Sequence, residues 1–138
     1  MSDKLKDIFD KQRQLRLAIG RGNDMLKDLT PSEVGEWTID LIQALRQELS
    51  ELQDCYAWKW WSKEGRENRF APLKSQQQNI NVEIADLLFF MLDICTANGI
   101  DADKLHSLYL QKWRVNMDRQ KNNYSIENKT EEDNKNIK

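Results

Sequence analysis

Apolar residues recur at helical spacing along most of the chain. Leu5, Ile8, Phe9, Leu15 and Ile19, with Gln12 in the same series, mark one face of an amphipathic helix over residues 3–19, which Gly20, Gly22 and Asn23 then break. Thr30-Pro31-Ser32-Glu33 has the residues of a capping box with proline at the first helical position, so a second helix starts there. The pattern carries it to about Trp61. Gly65, Pro72 and the Ser75-Gln76-Gln77-Gln78 run mark a polar connection, and a third helix follows from about Asn79 to Asn98. Gly99 reads as its left-handed cap, with Ile100 supplying the hydrophobic contact beyond. Asp101 caps a fourth helix, which turns Leu105, Leu108, Tyr109, Trp113 and Met117 inward and continues to about Asn122. Four such helices predict an all-α bundle.

From Ser125 onward, lysines and acids stand among asparagines with almost no apolar residue, a composition that predicts a disordered tail over 125–138 and leaves one domain over 1–124. With 138 residues, five glycines and two prolines, the chain is too short for two ordinary domains and too poor in turn-formers for a many-stranded sandwich. Its hydrophobic fraction is 39% against 32% charged. That is slightly lean for a self-sufficient core, which leaves room for one shared with a partner and makes a dimer worth considering. The net charge of -2 supplies no field for nucleic acid or an acidic membrane surface. The longest apolar run, Leu87 to Leu92, is far below the ~20 residues of a membrane span. Cys55 and Cys95 stand alone and the first residues resemble no leader, so a cytoplasmic setting is expected.

Charge changes this picture most where it falls on the inner faces. On a wheel of about 100° per residue, Val34, Trp37, Leu41, Leu45, Leu52 and Cys55 share one direction of the second helix, and Glu48 lies within that arc. Glu51 follows three residues on. Glu83 and Asp86 repeat the spacing on the third helix, with Asp86 among Ile84, Ala85, Leu87 and Leu88. Because this helix is apolar on nearly all sides, it is expected to be central. Converging carboxylates repel unless protonated, paired or bound to a cation, and oxygen ligands without histidine favour Mg2+, or Mn2+, over zinc, copper or iron. The competing reading places these acids on solvated faces or in ion pairs with Lys59, Lys112 or Arg119.

Asp93 shares the wheel line of Asp86 and reads as a polar bundle end, or else as an acceptor supporting the site. A single histidine, His106, excludes a di-iron pattern of paired carboxylate-x-x-His motifs. On the fourth helix Leu105, Lys112, Asn116, Arg119 and Asn123 form a stripe that turns donor-rich towards its end, which suits phosphate oxygens.

These residues resemble the all-α nucleoside triphosphate pyrophosphohydrolases, the superfamily of dimeric dUTPases and MazG-like enzymes. Glu48-Leu-Ser-Glu51 and Glu83-Ile-Ala-Asp86 match its ExxE and ExxD metal motif. Phe9-Asp-Lys-Gln12-Arg-Gln-Leu15 resembles the first-helix pattern around a base-contacting glutamine in the dimeric dUTPase and dCTPase branch. Ala57-Trp58-Lys59-Trp60-Trp61 resembles the segment closing its second helix, and Lys112, Asn116, Arg119, Gln120 and Tyr124 fit its phosphate-binding pattern. Arg16, Ser62 and Asn123 stand where that branch usually has asparagine, lysine and glycine.

The resemblance implies a homodimer that hydrolyses a deoxynucleoside triphosphate between the α and β phosphates, with dUTP the expected substrate. It implies magnesium on Glu48, Glu51, Glu83 and Asp86, and Glu48 as proton acceptor. Lys59, Lys112, Asn116, Arg119 and Tyr124 would hold phosphate, and Gln12 and Trp61 the base. Residues 62–78 would form a flap over the site. Two alternatives stand beside it: a MazG-like house-cleaning pyrophosphatase for dCTP or non-standard nucleotides, and a helical interaction module without catalysis.

Overall fold

The structure, a computed structural model, describes residues 3–20, 22–25 and 27–138. It is all-α, as the pattern predicts: α1 (Lys4–Ala18), α2 (Gly22–Met25), α3 (Pro31–Asp54), α4 (Lys63–Glu67), α5 (Gln77–Ala97) and α6 (Ala102–Lys121), with short 3-10 turns at Lys74–Gln76 and Glu132–Asn134. The four long helices correspond to the four predicted ones. The chain divides into two compact units, residues 10–99 and residues 1–9 with 100–138. Among the described residues no helix is long and apolar enough to cross a membrane.

In the unit of residues 10–99, α3 begins at the expected capping box. Thr30 Oγ1 accepts from the Glu33 N–H at 3.2 Å, and Glu33 Oε1 accepts from the Thr30 N–H at 3.1 Å. The exchange satisfies two donors that the first helical turn leaves open. α5 packs antiparallel to α3: Asn98, just beyond α5, donates to Thr38 near the start of α3 at 2.9 Å. Their contact buries a small core of Met25, Leu41 and Ala97, against which Trp37, Phe90 and Ile94 pack. Met25 comes from α2, a single turn concealed in the sequence by the surrounding glycines and asparagine.

Two expectations change here. The second predicted helix stops at Asp54 instead of Trp61, because the following backbone pairs with a later segment. Ala57 N–H donates to Ala71 O at 2.8 Å, Phe70 N–H to Ala57 O at 2.9 Å, and Leu73 N–H to Cys55 O at 2.8 Å. An antiparallel bridge joins Tyr56 and Pro72. The connection expected as a flap is thereby anchored at both ends and contains its own helix, capped by Ser62 accepting from the Gly65 N–H at 3.0 Å. Gly65 allows the fold to close, since a Cβ there would lie 2.0 Å from the Lys59 carbonyl oxygen.

The other change concerns α5, which is not buried on all sides. α3 covers one face, while Val82, Ile84, Leu88, Phe89 and Met91 are exposed. α5 ends as predicted at Gly99, whose φ of +70° suits glycine best.

In the other unit, Asp101 Oδ1 caps α6 by accepting from the Lys104 N–H at 2.8 Å. Where composition predicts disorder, residues 125–138 return along α6. Arg119 grips Asp133 with two hydrogen bonds, Nε to Oδ2 at 2.7 Å and Nη2 to Oδ1 at 2.6 Å. Lys112 Nζ donates to Asn134 Oδ1 at 2.6 Å, and Gln111 exchanges two hydrogen bonds with Lys138. Charge-assisted pairing supplies what apolar burial does not, and a composition argument counts only the latter.

Candidate active site

The antiparallel pairing of α3 and α5 brings Glu48, late in one helix, to Glu83 and Asp86, early in the other. One carboxylate oxygen from each lies within 4.8 Å of the other two, and all three side chains are half-buried. The three-residue spacing of Glu83 and Asp86 puts both on the side of α5 that meets Glu48. Loss of solvent pushes Glu48 up from the ordinary carboxylate value, helped by a hydrogen bond with Glu51 and by the charges of Glu51, Asp86 and Glu83. Desolvation also raises Glu83, with Glu51 and Asp86 adding repulsion. Both shifts follow first from burial and then from the negative charge gathered beside it.

Glu51 sits at the exposed edge of this group. It reaches Glu48 but falls outside the tight triplet, and the Gln47 amide approaches its Oε1 at 3.5 Å. The arrangement fits a hard divalent cation: the donors are all oxygen, they converge, and Glu83 Oε2 is buried with no partner. An ion-pair reading of these acids finds no support in this triplet, since no lysine or arginine bridges Glu48, Glu83 or Asp86 among the described residues.

Beyond α3 the Trp-Lys segment forms a small aromatic array. Trp61 meets Trp58 and Trp60 edge-to-face at centroid distances of 5.8 and 5.7 Å. Trp58 Nε1 donates to Asp54 at 3.0 Å, and Lys59 Nζ lies 5.8 Å from the Trp58 ring. The rings of Trp60 and Trp61 are largely exposed. Helix termination at Asp54 therefore puts Lys59 and Trp61 on a loop held by Gly65, not on a helix face.

Gln12 is buried on α1, where its amide nitrogen donates to Asp93 Oδ1 at 3.0 Å. Arg16, one turn on, forms an ion pair with Asp93 Oδ2. Asp93 is thus no polar bundle end; it is almost fully buried, at 1% exposed. The sequence put Gln12 and Arg16 on one helix face and Asp93 on a line with Asp86, but gave no sign that the two meet.

In the other unit, Lys112 and Arg119 both engage the returning chain end, and Asn116 is exposed. The Arg119 hydrogen bonds hold the Asp133 carboxylate below its usual value. Arg119 and Tyr124 line one hollow of about 290 Å³, together with Lys129 and Asp133. Two of the expected phosphate-binding side chains therefore border the same space.

The family pattern described as dUTPase matches residues 4–94 of this chain. The chain belongs to the dUTPase family. That match takes in all four carboxylates, Gln12 and the Trp-Lys segment, and it makes the protein a nucleotide pyrophosphohydrolase of the dUTPase and dCTPase type. A relative from Enterobacteria phage T4, a dCTP pyrophosphatase, is 28% identical over 142 aligned positions, covering 88% of this chain and 83% of the phage protein. No solved structure matches significantly. Within the dUTPase family pattern the carboxylate pairs of α3 and α5 are internal features, whereas Lys112, Asn116, Arg119 and Tyr124 lie beyond its matched segment.

Proposed function

We propose that this dUTPase-family protein hydrolyses a pyrimidine deoxynucleoside triphosphate between the α and β phosphates, releasing the monophosphate and pyrophosphate, with dUTP as substrate. The observation that carries this reading is the triplet of Glu48, Glu83 and Asp86, whose convergence no lysine or arginine among the described residues pairs with. Magnesium is the proposed ion, with manganese a chemical substitute, and Glu51 at the edge completes the ligand set. When bound, it supplies positive charge against the triphosphate and makes water a better nucleophile at neutral pH.

Glu48 accepts the proton of the attacking water, a role suited to a carboxylate whose proton affinity is raised by its surroundings. Gln12 and the Trp61 ring hold the base. Lys112, Asn116, Arg119 and Tyr124, with Lys59, neutralise charge on the departing pyrophosphate. The protein acts as a homodimer, a reading supported by the apolar side chains that α5 leaves uncovered.

A second substrate has its own support. The phage relative is a dCTP pyrophosphatase, so dCTP stands beside dUTP. Incubating the protein with each common deoxynucleotide plus dUTP, with and without Mg2+, tests the reading. Pyrophosphate release from one pyrimidine nucleotide, only with the ion present, is expected. Orthophosphate release, or cleavage independent of divalent ions, contradicts it.

A further inference from the structure

The buried polar group centred on Asp93 lies outside the carboxylate triplet, and of its members only Gln12 has been given a role so far. Gln12 is 3% exposed and Asp93 1%. A carboxylate only accepts hydrogen bonds, so the Gln12 amide must turn its NH2 towards Asp93, and the 3.0 Å contact is Nε2 to Oδ1. Arg16 occupies the other carboxylate oxygen and holds Asp93 in place. The half-turn that lets a glutamine exchange donor for acceptor is thereby closed to Gln12.

What the pin leaves open is specific. Gln12 Oε1 is buried and has no partner, and the same holds for Arg16 Nε. A buried carbonyl without a donor is costly, so this oxygen marks a place for a hydrogen-bond donor. Asp93 follows Asp86 by seven residues, two turns of α5, so both project from one side about 10 Å apart along the axis, on the scale of a nucleoside. A nucleoside whose phosphates lie at Asp86 is therefore long enough to reach Gln12, beside Asp93.

We propose that Asp93, held by Arg16, is a specificity-determining positioning residue that pins the Gln12 amide with its carbonyl oxygen as a fixed acceptor for a pyrimidine ring edge. The proposal rests on the pyrimidine triphosphate reading above and deepens it. Uracil presents a donor at ring position 3 and an acceptor at position 4; cytosine presents the reverse. A freely turning amide serves both. A fixed acceptor facing either position takes one base and meets the other with like polarity, and sites built on a required hydrogen bond discriminate strongly.

The test compares kcat/KM for dUTP and dCTP in the full-length protein and in Asp93→Asn, whose side-chain amide can face either end of Gln12. The unaltered protein is expected to favour one pyrimidine by about tenfold or more, and the variant to narrow that ratio to roughly threefold, mainly through KM for the preferred nucleotide. A ratio near one in the unaltered protein overturns the proposal. So does an equal proportional loss on both nucleotides in the variant, which is the mark of a purely structural role.

Should the variant not fold, exchange of the Gln12 side-chain amide protons in the unaltered protein decides. Slow exchange supports the pin, and rapid exchange overturns it whatever the activity. Protected amide protons in a protein that cleaves neither pyrimidine triphosphate overturn the substrate reading instead, and with it the role in selection.

Discussion

Glu48 shows how one side chain can be both a defect of the core and the reason for it. An apolar residue there would strengthen the contact of α3 with α5; the carboxylate instead gathers repulsion from Glu51, Asp86 and Glu83. Glu48→Gln is expected to lower kcat by about two orders of magnitude or more while raising the melting temperature of the metal-free protein, because it removes proton acceptance and repulsion together. Thermal melts and steady-state rates on the same preparation check both signs.

The pH dependence follows from the same shifts. Glu48 and Glu83 hold their protons above the ordinary value of 4.5, so protonation favours the metal-free fold below that value. This contribution is lost as pH rises through the raised values. Stabilisation by added Mg2+ should run the other way, small at pH 5 and larger at neutral pH, as the carboxylates release their protons; melts across that range with and without the ion test it. These carboxylates were legible in the sequence because each was an acid at an apolar position, repeated at the same spacing on two helices. Asp93 was not, because a wheel shows which side a residue faces but not that Gln12 and Arg16 arrive there from another helix.

At the scale of elements, the starts of helices were easier to read than their ends. Thr30, Glu33 and Asp101 announce α3 and α6 through local hydrogen bonds, and Gly99 closes α5. The end of α3 depends on a partner 16 residues away, Tyr56 with Pro72, which periodicity cannot register. The tail escaped composition for a related reason. Its hold on α6 is carried by Asp133 and Asn134 meeting Arg119 and Lys112, the side chains proposed to receive phosphate. Bound nucleotide must then displace them. Asp133→Asn is expected to lower KM for the nucleotide severalfold with kcat little changed, and steady-state kinetics at low ionic strength measure it most sharply. An unchanged KM would separate Arg119 from phosphate binding.

For the whole molecule, the lean apolar composition and the exposed face of α5 describe one property from two sides. Val82, Ile84, Leu88, Phe89 and Met91 form more uncovered apolar surface on one helix than an isolated chain needs, which suits burial against a second copy. Phe89→Lys should shift sedimentation from dimer to monomer at micromolar concentration, whereas a monomeric unaltered protein would remove the dimer reading. The central claim, that the Glu48, Glu83 and Asp86 triplet directs water at the α phosphorus, is tested most directly by hydrolysis in water carrying heavy oxygen. The label is expected in the nucleoside monophosphate, with unlabelled pyrophosphate; label in the pyrophosphate would place the attack on the β phosphorus and contradict the account.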